Sequence, residues 1–575
     1  MPPLRIGIAV SSADIPRWVA RVLDAIEASE RLDLALVVYL HPAQDPWWVR
    51  SVWALRSAVF RAWSSWDRHH FVRSGDDALR RVSLTSVLAD TVPRGHVSFK
   101  NESACSVDEE CQLRGAQLDL LLDVSGLGRA HNLAEAAQCP VWRCGEPSES
   151  DSRASLFELM SNFATVFATT LVEVDPCGAN RILRDGISRI NPLSLYRNQN
   201  AAAWLRCEML VRELSNLTRD GHDNSNPGEM GPEPISTTVH RGNLRTGRFL
   251  FRCARQFVKS RVQDHLYLDQ WVLGYAKNRN EKQLICSSGE FRVVQPPPDR
   301  AFADPFVVTR EHKTYIFFED FRWDVAKGVI SCVEVDEAGN YTEPIVILEK
   351  EHHLSYPFLF EWEHELFLVP ETVAANRIEA YRAIDFPYRW CFEATLIDQL
   401  RVVDSTLLER DGKWWLFASG GSTRYGALNQ DLHLFYAETP FGRWTPHPKN
   451  PVVCDVRRAR PAGQLITIGP RLIRPAQDCA KTYGHATVFN DVQVLSETDY
   501  RESPAERILP NWCPGQLGIH TFNCNEQLQV VDLRLLVPRE QAGVARVGCS
   551  NSAKLSPVTI ASKGAADPAQ YATPS

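Results

Sequence analysis

Five segments of this chain open and close in the same way. They start at Asp304, Tyr356, Asp404, Pro461 and Gly518, in steps of 52, 48, 57 and 57 residues, and each returns as an apolar strand ending at Glu319-Asp320, Glu371, Ser419, Gln477-Asp478 and Asp532. A repeat of about 50 residues is one supersecondary unit that cannot bury its apolar face alone and must stack on copies of itself. In the third repeat Asp411-Gly412 separates two apolar runs, which signals a hairpin. Further strands read at Gly328–Val333, Arg377–Tyr381 and Leu432–Tyr436. Four strands per repeat in five repeats predict an all-β five-bladed β-propeller over 263–544. The last repeat is short of strands. Trp271–Tyr275 and Phe291–Val294, ahead of the first full repeat, are expected to supply them and so close the ring without open sheet edges.

At 575 residues the chain needs more than one core. Its net charge of -7 provides no general basic field for neutralising phosphates, so nucleic acid is not an expected partner. The 15 cysteines are scattered without CxxC spacing, which predicts reduced thiols rather than a disulfide frame or a zinc site; no metal is expected. The N-terminus enters a strand directly, without a signal core, and no run of eighteen apolar residues occurs. A cytoplasmic location is expected, with attachment to the inner membrane face as an alternative.

Leu4–Val10 has strand length, and a helical pattern follows through Ile15, Trp18, Val19, Val22, Leu23 and Ile26. Leu34–Tyr39 and Leu118–Asp123 are the next strands, and Tyr196–Glu213 is an amphipathic closing helix. These elements predict a multidomain chain: an N-terminal α/β Rossmann-like domain over 1–215, and the propeller at the C-terminal side. No GxGxxG follows the first strand, so no dinucleotide cofactor is expected. The opening strand and helix, the strand ending at Asp123, and Pro140–Glu146 together resemble the N-terminal domain of formyltransferases. That family carries an Asn-x-His-Pro constellation, where this chain reads Ala130-His131-Asn132-Leu133-Ala134. The formyltransferase-like domain is therefore expected to be degenerate.

From 216 to 240 the composition turns polar and Pro/Gly-rich, as in a flexible linker. The stretch 241–261 then holds seven basic residues and no acidic one. Arg241, Arg245, Arg248, Arg252, Arg255 and Lys259 stack on one helical face, with Leu250, Ala254, Phe257 and Val258 mostly on the other. Such a segment either docks its apolar side on a neighbouring domain or makes peripheral contact with an anionic membrane. The Ser/Ala/Pro-rich tail, 545–575, is expected to be disordered.

A hairpin returns the chain to the end of the sheet where it began, so the starts of first strands and the ends of second strands share one rim. That rim gathers Asp304, Glu319, Asp320, Tyr356, Glu371, Asp404, Arg460, Gln477, Asp478 and His520, a polar funnel suited to hydroxyl-rich ligands. For Glu319 or Asp320 a local cap or salt bridge is the alternative role. The plan resembles five-bladed glycosidases of the arabinanase and fructosidase type. More closely, Phe302–Phe306, Phe317–Asp320, Leu354–Pro357, Val403–Thr406, Trp444–Val452, Arg458–Gly463 and Arg474–Cys479 resemble the propeller domain at the N-terminus of glucosamine inositolphosphorylceramide transferases. In the plant members a glycosyltransferase domain follows the propeller. The resemblance implies a carbohydrate-active protein of glycan or glycolipid biosynthesis, acting on a sugar, a glycolipid or a nucleotide sugar.

Displacement at an anomeric carbon needs two carboxyl groups, one as acid and one as base, about 6.5–9.5 Å apart for inversion and about 5–5.5 Å for retention. The arabinanase-type pattern makes Asp304 the candidate base, while Asp404 and Glu371 compete for the acid role. Arg460 would fork a substrate phosphate or carboxylate, with Arg457 and Arg458 as an added anionic subsite. Tyr356 would stack on a sugar ring, and Ser355 and His485 stand in reserve. A glycoside hydrolase and a non-catalytic sugar-binding propeller are the competing readings.

Overall fold

The computed structural model describes residues 2–41, 51, 54–72, 77–88, 91–98, 106–145, 152–217, 242–278, 288–420 and 428–539. Most of the expected linker (218–241, with Arg241) and the 545–575 tail lie outside the described residues. The chain forms two compact units, Met1–Ala254 and Arg255–Ser575.

The first unit is built on a seven-stranded sheet in the order Arg94–Ser98, Leu32–His41, Leu4–Val10, Leu120–Asp123, Val141–Cys144, Val166–Val174, Asn180–Arg189. The first five strands run parallel and the last two antiparallel. Helix Arg17–Glu27 buries Trp18, Val19, Val22, Leu23 and Ile26, the apolar stripe its spacing predicts. The strands Arg94–Ser98, Val166–Val174 and Asn180–Arg189 were not foreseen. The last carries Arg181, Arg184 and Asp185 among its apolar residues, so its pattern does not read as a strand until it is paired. His131 is exposed on helix Ala130–Ala137.

Helix Asn243–Leu266 spans most of the basic segment. Its docked side differs from the expected one. Thr246 and Phe249 are buried, with Phe249 packed among Phe60, Trp63 and Phe157, whereas Phe257 and Val258 are 50% and 61% exposed.

In the second unit five antiparallel sheets follow one another. Blade 1 comprises Arg300–Arg310, Lys313–Arg322, Lys327–Val335 and Ile345–Leu348. Blade 2 comprises Ser355–Trp362, Glu365–Glu371, Ile378–Asp385 and Arg389–Ile397. Blade 3 has Val402–Arg410, Lys413–Gly420, Asp431–Ala437 and Thr445–Pro446, and blade 4 has Ile466–Ile468, Arg471–Asp478, Ala486–Leu495 and Tyr500–Ile508. Blade 5 joins the two ends of the unit. Tyr267–Lys277 pairs antiparallel with Leu528–Pro538 without a break from Tyr267↔Pro538 to Lys277↔Leu528, and Arg292–Val294 and Gln516–Gly518 flank them. The strands expected to close the ring are those that do.

Apolar clusters seal each pair of neighbouring blades. Phe306, Phe358, Phe367, Leu416 and Trp414 join blades 1 to 3. Trp415, Phe417 and Tyr500 join blades 3 and 4, Phe489 and Phe522 join 4 and 5, and Leu273, Phe302 and Phe318 join 5 and 1. A ring of this kind leaves each blade only short, protected edges.

Candidate functional site

The first strands of blades 1, 2 and 3 share an irregularity. Their ladders are broken between Ala303 and Phe306, between Ser355 and Phe358, and between Val403 and Thr406. At each break one side chain sits on left-handed backbone: Asp304 at φ 50°, Tyr356 at 45° and Asp404 at 55°. A bulge re-aims a side chain, and positive φ at a non-glycine residue persists only where the surroundings impose it. The three bulged residues occupy matching places on successive blades.

Acids from the second strands meet them. Asp304, Glu319, Glu371, Asp404 and Asp532 lie close enough for their charges to interact, although they come from blades 1, 2, 3 and 5. All are buried, from 0% exposed for Asp404 and Asp532 to 8% for Glu319. Two basic groups hold part of this charge. Arg460 donates from Nε to Asp404 Oδ2 at 2.5 Å and from Nη2 to Oδ1 at 3.2 Å, and Gln477 Nε2 adds a bond of 3.0 Å to Oδ2. His520 Nδ1 lies 2.5 Å from Asp532 Oδ2 and its Nε2 lies 3.7 Å from Asp304 Oδ1.

The His520 ring is stacked on Trp271 at 4.1 Å and meets Tyr483 edge-on. Gly484 makes that packing possible: at φ 60°, a Cβ there would stand 2.8 Å from His520 Cβ and 2.9 Å from the Trp271 ring. Asp304 also accepts from Thr521 Oγ1 at 2.7 Å, while the Asp304 amide donates to Asp532 Oδ2 at 3.0 Å.

Burial and mutual repulsion set the protonation states. Burial pushes Asp304 up to about 6; the His520 charge works against this, and Asp404 and Asp532 add to it. Burial pushes Glu371 up to about 7, opposed by the Val373 amide at 2.6 Å and reinforced by Asp404. Glu319 is raised well above the usual carboxylate range by burial and by four neighbouring acids. For His520 burial disfavours the charged ring, but Asp532 and Asp304 outweigh it and its pKa is raised. The centre thus holds acids raised toward neutral pH beside a histidine held between two carboxylates.

Asp304, His520 and Asp532 each offer one ligand atom, all within 4.8 Å of one another. Two carboxylates and an imidazole form a donor set that a divalent cation would accept.

Several expected site residues take other places. Tyr356 is fully buried and is not a stacking platform. Its hydroxyl accepts from the Gly463 amide at 2.7 Å and bonds Thr406 Oγ1 at 2.8 Å, tying blades 2, 3 and 4. Arg460 does not offer an open fork: besides Asp404 it bonds Asn429 at 2.7 Å and lies over the Tyr483 ring at 4.8 Å. Both oxygens of Asp404 are taken up as acceptors by Arg460 and Gln477. Arg457 is forked onto Asp455, and Arg458 lies 3.6 Å from Glu502, so neither faces a ligand as an added anionic subsite.

Asp320, next to Glu319 on a strand where neighbours alternate sides, bonds Arg300 at 2.7 Å and Ser331 at 3.1 Å, a blade-internal link. Asp478 likewise faces Arg507 at 3.3 Å and caps the Ala480 amide, with the half-buried His485 near it. Ser355 donates to Glu371 Oε2 at 3.1 Å and so positions the acid. Asp532, Thr521, Trp271 and Tyr483 were missed. Asp532 had a signal, because it closes the second strand of its repeat as Glu371 closes that of blade 2.

Part of the chain is similar to known proteins. Residues 286–525 match the family model described as glucosamine inositolphosphorylceramide transferase 1, N-terminal. The glucosamine inositolphosphorylceramide transferase 1 of Oryza sativa subsp. japonica is 35% identical over 211 residues, 36% of this chain and 28% of that protein. The Arabidopsis thaliana protein of the same name is 34% identical over 209 residues, 36% of this chain and 27% of the relative. The chain therefore matches less than a third of the length of these relatives. Among solved structures, the family 117 glycoside hydrolase Zg3597 of Zobellia galactanivorans overlaps 48% of this chain and 92% of its own, at 12% identity and TM-score 0.31. The Cellvibrio cellulosa α-L-arabinanase overlaps 35% and 77%, at 12% identity and TM-score 0.27. The fold rests on the strand pairing and not on these overlaps. Residues 286–525 lie in a propeller of the type found at the N-terminus of glucosamine inositolphosphorylceramide transferases.

Proposed function

We propose that the propeller centre processes a glycosyl group, with a sugar or glycolipid as substrate. The observation that carries this reading is the pair Asp304 and Glu371: two buried carboxyls from different blades, pushed by their surroundings to about 6 and about 7. In this reading Glu371, oriented by Ser355 and the Val373 amide, gives its proton to the oxygen leaving the anomeric carbon. Asp304 takes a proton from the attacking hydroxyl, of an acceptor or of water, as the new C–O bond forms. Asp404, held in place by Arg460 and Gln477, faces positive charge developing on the sugar ring. The relatives' name suggests glucosamine as the sugar and an inositol phospholipid as the acceptor class. Transfer is preferred to hydrolysis on that name alone.

A second reading is favoured by one observation. The acids and their partners are so thoroughly buried and paired that they can act as an electrostatic hub locking the blades, with sugar bound but not turned over. Asp304→Asn and Glu371→Gln separate the two readings. Loss of glycosyl turnover without a fall in melting temperature supports catalysis; turnover retained in both variants overturns it. The N-terminal unit is proposed to be a formyltransferase-like relic that no longer carries formyl chemistry, since its His131 is exposed and stands outside the Asn-x-His-Pro context. Formyl transfer by the isolated unit would contradict that.

A further inference from the structure

Helix Asn243–Leu266 is apolar on two sides, and on one of them Phe249 enters the core of the first unit with Leu250 and Cys253 packed against it. On its docked side it buries Thr246, Ser260 and Gln263, at 0%, 4% and 8% exposed. On the opposite side it exposes Leu244 (69%), Phe251 (71%), Val258 (61%) and Val262 (53%). At 100° per residue these four residues fall within about 40° of one another, an apolar line along the solvent side. Arg248, Arg252, Arg255 and Lys259 run along one flank of that line, and Arg261 lies on the other. From Asn243 to Gln263 no acidic residue occurs. Docking of Phe249 accounts for one side of the helix and leaves Leu244, Phe251, Val258 and Val262 exposed on the other.

The first unit extends the patch. The side chain of Asn243 bonds the Val59 amide at 3.0 Å and the Leu55 carbonyl at 2.9 Å, which holds Leu55 (75% exposed) and Val59 (39%) beside the start of the helix. Phe163, 60% exposed, lies under the Arg252 guanidinium at 5.2 Å. Arg245 is turned inward to Glu158 at 3.2 Å and is not counted in the surface.

We propose that this face binds an anionic lipid bilayer, with the helix lying in the plane of the interface. The apolar line would enter the headgroup boundary while the arginines and Lys259 meet lipid phosphates, the division of labour of an interfacial helix. Neither half suffices alone: a few apolar side chains give weak partition, and basic residues without them give only salt-sensitive adsorption. Among the described residues no helix is long and apolar enough to cross a membrane, so the contact is peripheral. The proposal is independent of the chemistry in the propeller.

Co-sedimentation of the full chain with vesicles tests it, using phosphatidylcholine alone and phosphatidylcholine with a third of phosphatidylglycerol. Binding is expected only to the anionic vesicles and should weaken as salt is raised. Phe251→Glu with Val258→Glu, and separately Arg248→Glu with Arg255→Glu, should each lower partition by about tenfold or more. Both variants should keep the parent melting temperature, because the replaced residues are exposed. Equal binding to neutral vesicles, or unchanged binding in both variants, overturns the proposal. A chain that dimerises through this face, with Phe251→Glu and Val258→Glu abolishing dimers and leaving vesicle binding unchanged, also overturns it.

Discussion

Arg460 of blade 4 forks onto Asp404 of blade 3, with Nε at 2.5 Å from Oδ2 and Nη2 at 3.2 Å from Oδ1, and both side chains are at most 5% exposed. A buried pair of this geometry matters mainly through what its loss would leave behind. Arg460→Met leaves the buried Asp404 carboxyl without its fork and among other acids, at a cost of about 3–5 kcal/mol. A lower denaturation midpoint with an unchanged denaturant slope is the expected result. Arg460→Lys should restore only part of the loss, because an ammonium cannot reproduce the planar fork.

Stability should fall as pH rises from about 4 to about 7. Glu371 has an ordinary value of 4.5 and about 7 in the folded chain, so between those values the folded state holds a proton that the unfolded state has released. The penalty is absent below about pH 4.5 and complete above about 7, where it amounts to about 3 kcal/mol. Asp304 adds a fall of the same sign between 3.8 and about 6. His520, also raised, contributes stability that is present below its unfolded value and lost above its folded one. Glu371→Gln should therefore gain stability relative to the parent at pH 8 and gain little at pH 4, as chemical denaturation at the two pH values would measure.

Turnover should be bell-shaped in pH. Asp304 must be ionised to act as base, which sets the acid limb near 6, and Glu371 must be protonated to act as acid, which sets the alkaline limb near 7. With a leaving group that needs no proton, Glu371→Gln should retain activity and lose the alkaline limb. A profile flat from pH 5 to 9 in the parent would contradict the assignment.

The matched segment 286–525 should not fold alone. It lacks Tyr267–Lys277 and Leu528–Pro538, the two strands at the centre of blade 5. Asp532, which holds His520, is lost with them. A chain cut to 286–525 is expected to show no cooperative thermal transition, whereas 255–539 should melt as one unit.

The ring was legible because each blade carries its own copy of one pattern, and because the incomplete last copy demanded strands from ahead of the first. Asp304, Glu371 and Asp404 stood out as acids at strand ends where a turn would use Gly or Asn. Sequence could not reveal which rim residues face one another. That depends on the bulges at Asp304, Tyr356 and Asp404, and on strand alternation, which places Glu319 with the acids and leaves Asp320 inside its blade. Arg460 reads alike whether its partner is a ligand phosphate or Asp404, and a buried tyrosine reads like an exposed one. The helix Asn243–Leu266 misled for the opposite reason: its pattern is regular, but of the apolar residues expected to dock, Leu250 packs while Phe257 and Val258 are exposed.

The most direct test of the account is ligand-dependent melting of the full chain against nucleotide sugars, simple glycosides including glucosaminides, and inositol phospholipids. Binding to the folded state alone raises the melting temperature in proportion to occupancy. At least one saccharide or glycolipid should raise it in the parent, and Asp304→Ala should abolish that rise. No shift across the panel, or a shift that survives Asp304→Ala undiminished, would contradict a saccharide site at the propeller centre.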